Sequence, residues 1–278
     1  MKRMSRTVVC VLSVITSSAA LFGQFTPGEV AGREAFEEFL RTAEIVDFKE
    51  IGEGVTKPYK LYLKQGEREA AACWKNPSGM TFGFLEGWRF EIAAYRLDKL
   101  IGLNMVPPAV EREFQGRSGA LILWAENKYS LEKIVDNHIR IPESATEHTE
   151  KMKWLARAWD SLIANEDRTQ QNVLYTEDWR MILIDHSRSF RSTKEHAKRL
   201  MFGRRGLKTT MQGAPFLFSR LPRWFVERIR ELTFEAIKAA VGETLTDVEI
   251  RAVLARRDLL VKEIGEMVRE KGEADVLY

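Results

Sequence analysis

A chain of 278 residues with 45% hydrophobic and 30% charged residues can bury a sizeable core, and that balance excludes a disordered or fibrous protein. Its formal charge of +3 is matched by Lys2, Arg3 and Arg6 alone, so residues 21–278 are electrically neutral overall and no nucleic-acid partner is expected. Only two cysteines occur, Cys10 and Cys73. With Cys10 in a removable leader, an internal disulfide is excluded and a cysteine-based metal site is not expected.

The leader itself has the order of an export signal. Three cations are followed by an apolar run from Val8 to about Ile15 and then by the small residues Ser17, Ser18, Ala19 and Ala20. Residues 1–20 are therefore read as a signal peptide, and the chain as exported to a periplasm, a secretory lumen or the medium. The run is shorter than the roughly 20 apolar residues of a spanning helix. A membrane would enter only through this segment, if it stayed uncleaved.

Residues 21–42 read as a lead-in helix with Phe36, Phe39 and Leu40 on its apolar side. From Ile45 to Lys75 the pattern turns to strands. Gly52-Glu53-Gly54 forms a flexible turn, Tyr59–Leu63 is rich in β-formers, and Arg68–Trp74 pairs back across Gln65-Gly66. Phe90, Ala93, Ala94, Leu97, Leu100 and Ile101 then fall on one face of a helix that Gly102 can end. Val106-Pro107-Pro108 forces extended chain, and strands are expected around Val110–Phe114 and Ala120–Trp124. Beyond Glu126 the chain becomes mainly helical. A helix is expected over Met152–Ala164, then a polar loop from Asn165 to Gln171, then two short strands, Val173–Tyr175 and Met181–Ile184. Thr246 and Glu249 make a capping box for a long helix reaching about Lys271. Strands come first and helices second, which argues α+β with two lobes, 21–126 and 127–278, rather than a parallel alternating sheet.

Three groups of residues could carry chemistry. The first is Gly52-x-Gly54, then Lys75 at the end of an apolar strand, then Glu91 on the next helix. Glycines let backbone N–H groups approach phosphate, a lysine neutralises it, and a carboxylate holds the lysine. The plain alternative is a hairpin turn with a surface ion pair. The second is Asn165-Glu166-Asp167-Arg168-x-x-x-Asn172. Here an aspartate could accept the proton of an attacking hydroxyl, and an asparagine five residues on could hold a phosphate-bound metal. The third is Asp185, which ends the apolar run Ile182-Leu183-Ile184 and suits a divalent cation, or else a helix N-cap or a local bond to Ser187. Arg188, Arg191, Lys194, Lys198, Arg199, Arg204, Arg205 and Lys208 crowd the following segment, either as a site for an anionic acceptor or as a solvated face.

The order of these groups resembles the protein-kinase set of strand lysine, helix glutamate, D-x-x-x-x-N loop and a later metal-binding aspartate. The stretches "GWRFEIAAYRLDKLIGLNMVPPAVER" and "DSLIANEDRTQQNVLYTEDWRMILIDHSRSF" are most similar to atypical kinases of the HipA-type and Golgi casein kinase group, and Asp167-Arg168 also resembles the loop of phosphoinositide kinases. The resemblance implies a two-lobed kinase-like fold with a small β-rich N-lobe carrying one key helix and a mainly helical C-lobe. It implies ATP and Mg²⁺ or Mn²⁺ as cofactors, with Gly52, Gly54, Lys75 and Glu91 around the nucleotide. A hinge at Leu123–Glu126 would meet the adenine, Asp167 would be the catalytic carboxylate, and Asn172 and Asp185 the metal ligands. The expected partner is a hydroxyl acceptor, a protein Ser/Thr or a small molecule. Asp185-His186-Ser187 stands where Asp-Phe-Gly would, and no histidine precedes Asp167-Arg168. A nucleotide-binding pseudokinase and an exported partner-binding domain remain the alternatives.

Overall fold

Alternating burial along the strands at 59–65 and 68–75 sets the layers of the molecule. The computed structural model describes residues 25–52, 57–81 and 83–278. The segment read as a signal peptide and Gly54 lie outside these residues.

Two short helices come first, α1 (Pro27–Ala31) and α2 (Arg33–Thr42), so the expected lead-in helix divides at Gly32. Strands β1 (Glu44–Glu50), β2 (Tyr59–Gln65) and β3 (Arg68–Lys75) then form an antiparallel meander. A short hairpin of β4 (Ser78–Thr81) and β5 (Phe84–Gly87) leads into α3 (Trp88–Ile101). Sequence reasoning did not anticipate this hairpin. Gly102 ends α3 in the left-handed conformation, at φ 77°.

Strands β6 (Ala109–Phe114) and β7 (Arg117–Leu123) complete a five-stranded antiparallel sheet in the order β1-β2-β3-β7-β6. The turn between them needs only Gln115 and Gly116, both at positive φ, the geometry that matches strand twist in a two-residue hairpin. One face of this sheet, with Leu61, Leu63, Ala72, Trp74, Val110 and Leu121, packs on Phe39 and Leu40 of α2. Each such fully buried Leu or Phe contributes about 1.5–3 kcal/mol relative to exposure. On the opposite face Ala109, Ala120 and Ile122 join α3 in a second, larger core that continues through the helical region to Val276. Cys73 and Lys75 alternate with Ala72 and Trp74, so they emerge on the α3 side.

The second region holds a small sheet of β8 (Tyr129–Ser130), β9 (Val173–Tyr175) and β10 (Met181–Leu183), with helices α4 (Leu131–Asp136) and α5 (Glu143–Ile163). Helix α5 begins at Glu143 rather than at the expected Met152; its first two turns are polar, so no apolar period marks them in the sequence. After an irregular stretch come α6 (Arg223–Arg230), α7 (Phe234–Val241), α8 (Asp247–Lys271) and α9 (Glu273–Val276). The Thr246–Glu249 capping box opens α8 as expected. A β-rich N-terminal region thus precedes a helical C-terminal one. No helix among the described residues is long and apolar enough to cross a membrane.

Candidate active site

Between the sheet and the helical region lies a cleft of about 310 Å³. Its walls are mostly apolar, with Ile51, Val106, Ala109, Ile122, Leu174 and Leu183; of its polar residues, Lys75, Glu91, Asp185 and His186 gather together at one end, and Asn127 lines it as well. Each arrives there for a local reason. Lys75 is the last residue of β3 and points to the α3 side. Glu91 sits in the first turn of α3, just past the β4–β5 hairpin. Asp185 follows β10 at φ 60°, a left-handed conformation that costs a non-glycine residue about 1 kcal/mol or more and turns its carboxylate into the cleft.

These three meet directly. Lys75 Nζ is 2.6 Å from Glu91 Oε1 and donates to Asp185 Oδ1 at 2.8 Å. Glu91 Oε1 also accepts from the backbone N–H of His186 at 3.0 Å, and Ser187 Oγ donates to Asp185 Oδ1 at 3.1 Å. Burial opposes charge on both carboxylates, but the Lys75 ammonium overrides it and holds each below the usual range, Asp185 far below. The same pairs hold Lys75 charged, against its own burial. Glu91 is shut in, whereas 41% of the Asp185 side chain stays open toward the cleft. Cys73 also lines the cleft, and burial pushes its thiol up to about 11, so it is a wall rather than a nucleophile at neutral pH.

The Asp167 loop is built from α5. That helix ends at Ala164 in a left-handed cap, and Asp160 on its last turn accepts from Arg168 Nε at 3.0 Å and Nη2 at 2.9 Å. Arg168 Nη1 then donates to the carbonyls of Asn172 and Ile184, at 3.0 and 2.7 Å. One buried guanidinium thereby ties the Asp167 loop to the strand that carries Asp185. Asn172 Nδ2 donates to the Asp167 carbonyl at 2.9 Å, so its Oδ1 is the atom left for a cation. Burial raises the Asp167 carboxyl above its ordinary value, although Arg188 beside it pulls the other way.

The oxygen donors of Asn172 and Asp185 suit a hard cation. No cluster of three or more His, Cys, Asp or Glu among the described residues could hold a metal unaided. Two oxygen donors are fewer than a divalent cation needs, so any cation there would take the rest of its ligands from water or a bound anion.

Asp167 and Asn172 lie on the neighbouring loop and do not themselves line the cleft, and Gly52 and Glu126 do not line it either. Gly52 is exposed in the bend after Ile51, at the mouth, and Gly54 falls in the stretch not described. Glu126 is exposed and does not line the cleft. The chain beside it, at Leu123, Trp124, Ala125 and Asn127, does. The basic segment is largely tied internally. Arg191 meets Glu166, Arg204 meets Glu270, and Lys208 donates to the Glu166 carbonyl. Glu86 was missed by sequence reasoning, although glycines at positions 79, 83 and 87 could have marked the hairpin that presents it.

No protein-family model matches the chain, and no curated protein matches it in sequence. Its fold is similar to the crystal structure of the Golgi casein kinase, with a TM-score of 0.58 at 12% identity over 88% of this chain and 78% of that one. At that identity the likeness defines the fold, which is kinase-like.

Proposed function

We propose that the chain is an ATP-dependent phosphotransferase acting on a hydroxyl acceptor, a protein Ser/Thr or a small molecule. The observation that carries this reading is the buried Lys75 held between Glu91 and Asp185 at the polar end of a mostly apolar cleft. Apolar walls suit a nucleobase, and a fixed ammonium suits the phosphates. Phosphoryl transfer asks a protein mainly to position groups and neutralise charge.

In this reading Lys75 binds the nucleotide phosphates and Glu91 keeps it aimed. Asp185 and Asn172 would hold Mg²⁺ or Mn²⁺, which when bound neutralises phosphate oxygens. Asp167 accepts the proton of the acceptor hydroxyl as its oxygen bonds to the γ-phosphorus and the bond to the departing ADP oxygen breaks. A carboxyl raised by burial is a better base for this than an ordinary one. The lobes would be residues 21–126 and 127–278, with residues 1–20 directing export.

Thermal stability with ATP and metal, together and separately, tests the binding. ATP with Mg²⁺ or Mn²⁺ at 100 times the dissociation constant should add about 2.7 kcal/mol. Metal alone should add nothing, because two protein oxygens make an incomplete site. Asp185→Ala should abolish the shift, and Asp167→Asn should keep it while lowering turnover by about 10²–10⁴-fold. A protein that no nucleotide stabilises, with or without metal, is not this enzyme.

A further inference from the structure

Arg188 follows Asp185 by three residues and is gripped from two parts of the molecule. Its Nε donates to Glu86 Oε1 at 2.6 Å, and Nη2 lies 2.5 Å from the same oxygen. Nη1 lies 3.2 Å from Asp167 Oδ2, and the guanidinium carbon sits 4.7 Å from the centroid of the Phe84 ring. The backbone is fastened on the same two sides. Glu166 N–H donates to the Arg188 carbonyl at 3.2 Å, and Gly87 N–H donates to the Ser187 carbonyl at 2.9 Å.

We propose that Glu86 and Arg188 form a clamp that positions the Asp167 carboxylate, so that the β4–β5 hairpin sets the catalytic loop in place. Arg188 makes the one ion pair that Asp167 has among the described residues. An exposed Arg–Asp pair on its own is worth about 0–1 kcal/mol and would not fix a side chain. Glu86 changes this. It is 3% exposed and accepts from Nε while Nη2 lies against the same oxygen, so Nη1 is presented to Asp167 already oriented. With Oδ2 engaged, Oδ1 is left to face an acceptor. Glu86 is buried and reaches Asp167 only by way of Arg188, so it is a positioning residue.

The kinetic arm of the test rests on the phosphotransferase reading, and the exchange arm does not. Arg188→Ala should lower kcat by about 10–100-fold, the scale of loss for a misplaced catalytic group, with KM for ATP unchanged. Free guanidinium should restore part of that loss, and Arg188→Lys should not, since lysine lacks the fork. Glu86→Gln, which keeps the volume, should lower kcat in the same direction. The double variant should be no slower than Arg188→Ala. In hydrogen exchange of the full chain, the amides of Asp167 and Asn172 should exchange faster in both single variants, while those of β3 stay protected. Losses that multiply in the double variant, or that appear in KM for ATP, overturn the clamp. Unchanged exchange at 167–172 overturns it too, even if the protein transfers no phosphoryl group. Should Arg188→Ala fail to fold, Glu86→Gln decides the matter by the same readouts. If nucleotide and metal do not stabilise the wild type, the phosphotransferase reading falls and exchange alone judges the clamp.

Discussion

A lysine between two carboxylates makes the floor of the cleft sensitive to pH in a definite direction. Glu91 and Asp185 are held below their ordinary values of 4.5 and 3.8. Groups depressed by folding contribute stability that is present above those ordinary values and is lost as pH falls through the depressed ones. Lys75 is raised above 10.5, so its share is complete at every lower pH. Stability should therefore fall on acidification below about pH 4.5. Lys75→Met removes the cation and strands Glu91, whose side chain is 4% exposed. Breaking a buried pair in this way costs about 3–5 kcal/mol, measurable by urea unfolding at pH 7. Burial then pushes Glu91 up rather than down, so this variant should be stabilised by acid where the wild type is weakened. Matching acid limbs in the two proteins would show that the pair does not govern Glu91.

At the scale of elements, the placement of Lys75 depends on how closely β7 approaches β3. Gly119 makes that approach possible, since a Cβ there would lie 2.7 Å from Trp74 Cε2 and 2.8 Å from the Lys75 carbonyl oxygen. Gly119→Ala should cost about 1–3 kcal/mol through overpacking and, on the proposed function, should weaken nucleotide binding, because the strand that must yield ends in Lys75. Loss of stability with unchanged ATP binding would separate the strand from the site. The strands of the five-stranded sheet, α3 with its Gly102 cap and the α8 capping box were legible in the sequence because each is written in neighbouring residues. Lys75, Glu91, Asp167, Asn172 and Asp185 were legible as a spaced set, and the structure brings Lys75, Glu91 and Asp185 into direct contact. The β4–β5 hairpin was not, since its strands are only four residues long and glycines at 79 and 83 break the run. The first half of α5 was hidden by its polar sequence. Glu86 could not be paired with Arg188 from sequence, because 102 residues separate them and only the folded hairpin closes the distance.

For the molecule as a whole, the two regions share one core. Helix α3 belongs by sequence to the β-rich region, yet it packs with α6, α7 and the rest of the larger core. Arg96 Nη1 donates from α3 to the Val241 carbonyl at 2.9 Å. Farther along, the buried Arg256 of α8 donates to the carbonyls of Leu162, Arg191 and His196, tying the long helix to the chain on both sides of the Asp167 loop. Calorimetry of the ligand-free protein should therefore show a single two-state transition, with calorimetric and van't Hoff enthalpies in agreement. Two resolved peaks would mean that the regions unfold independently. The shared core also bears on how the coding sequence can be divided. A cut after Glu126, natural as it looks on a diagram of two lobes, would carry α3 away with the strands and bare the side that α6 and α7 cover. The first fragment would present a sticky apolar face to solvent, the second would lack the helix that closes its interior, and neither would serve as a module for grafting or display.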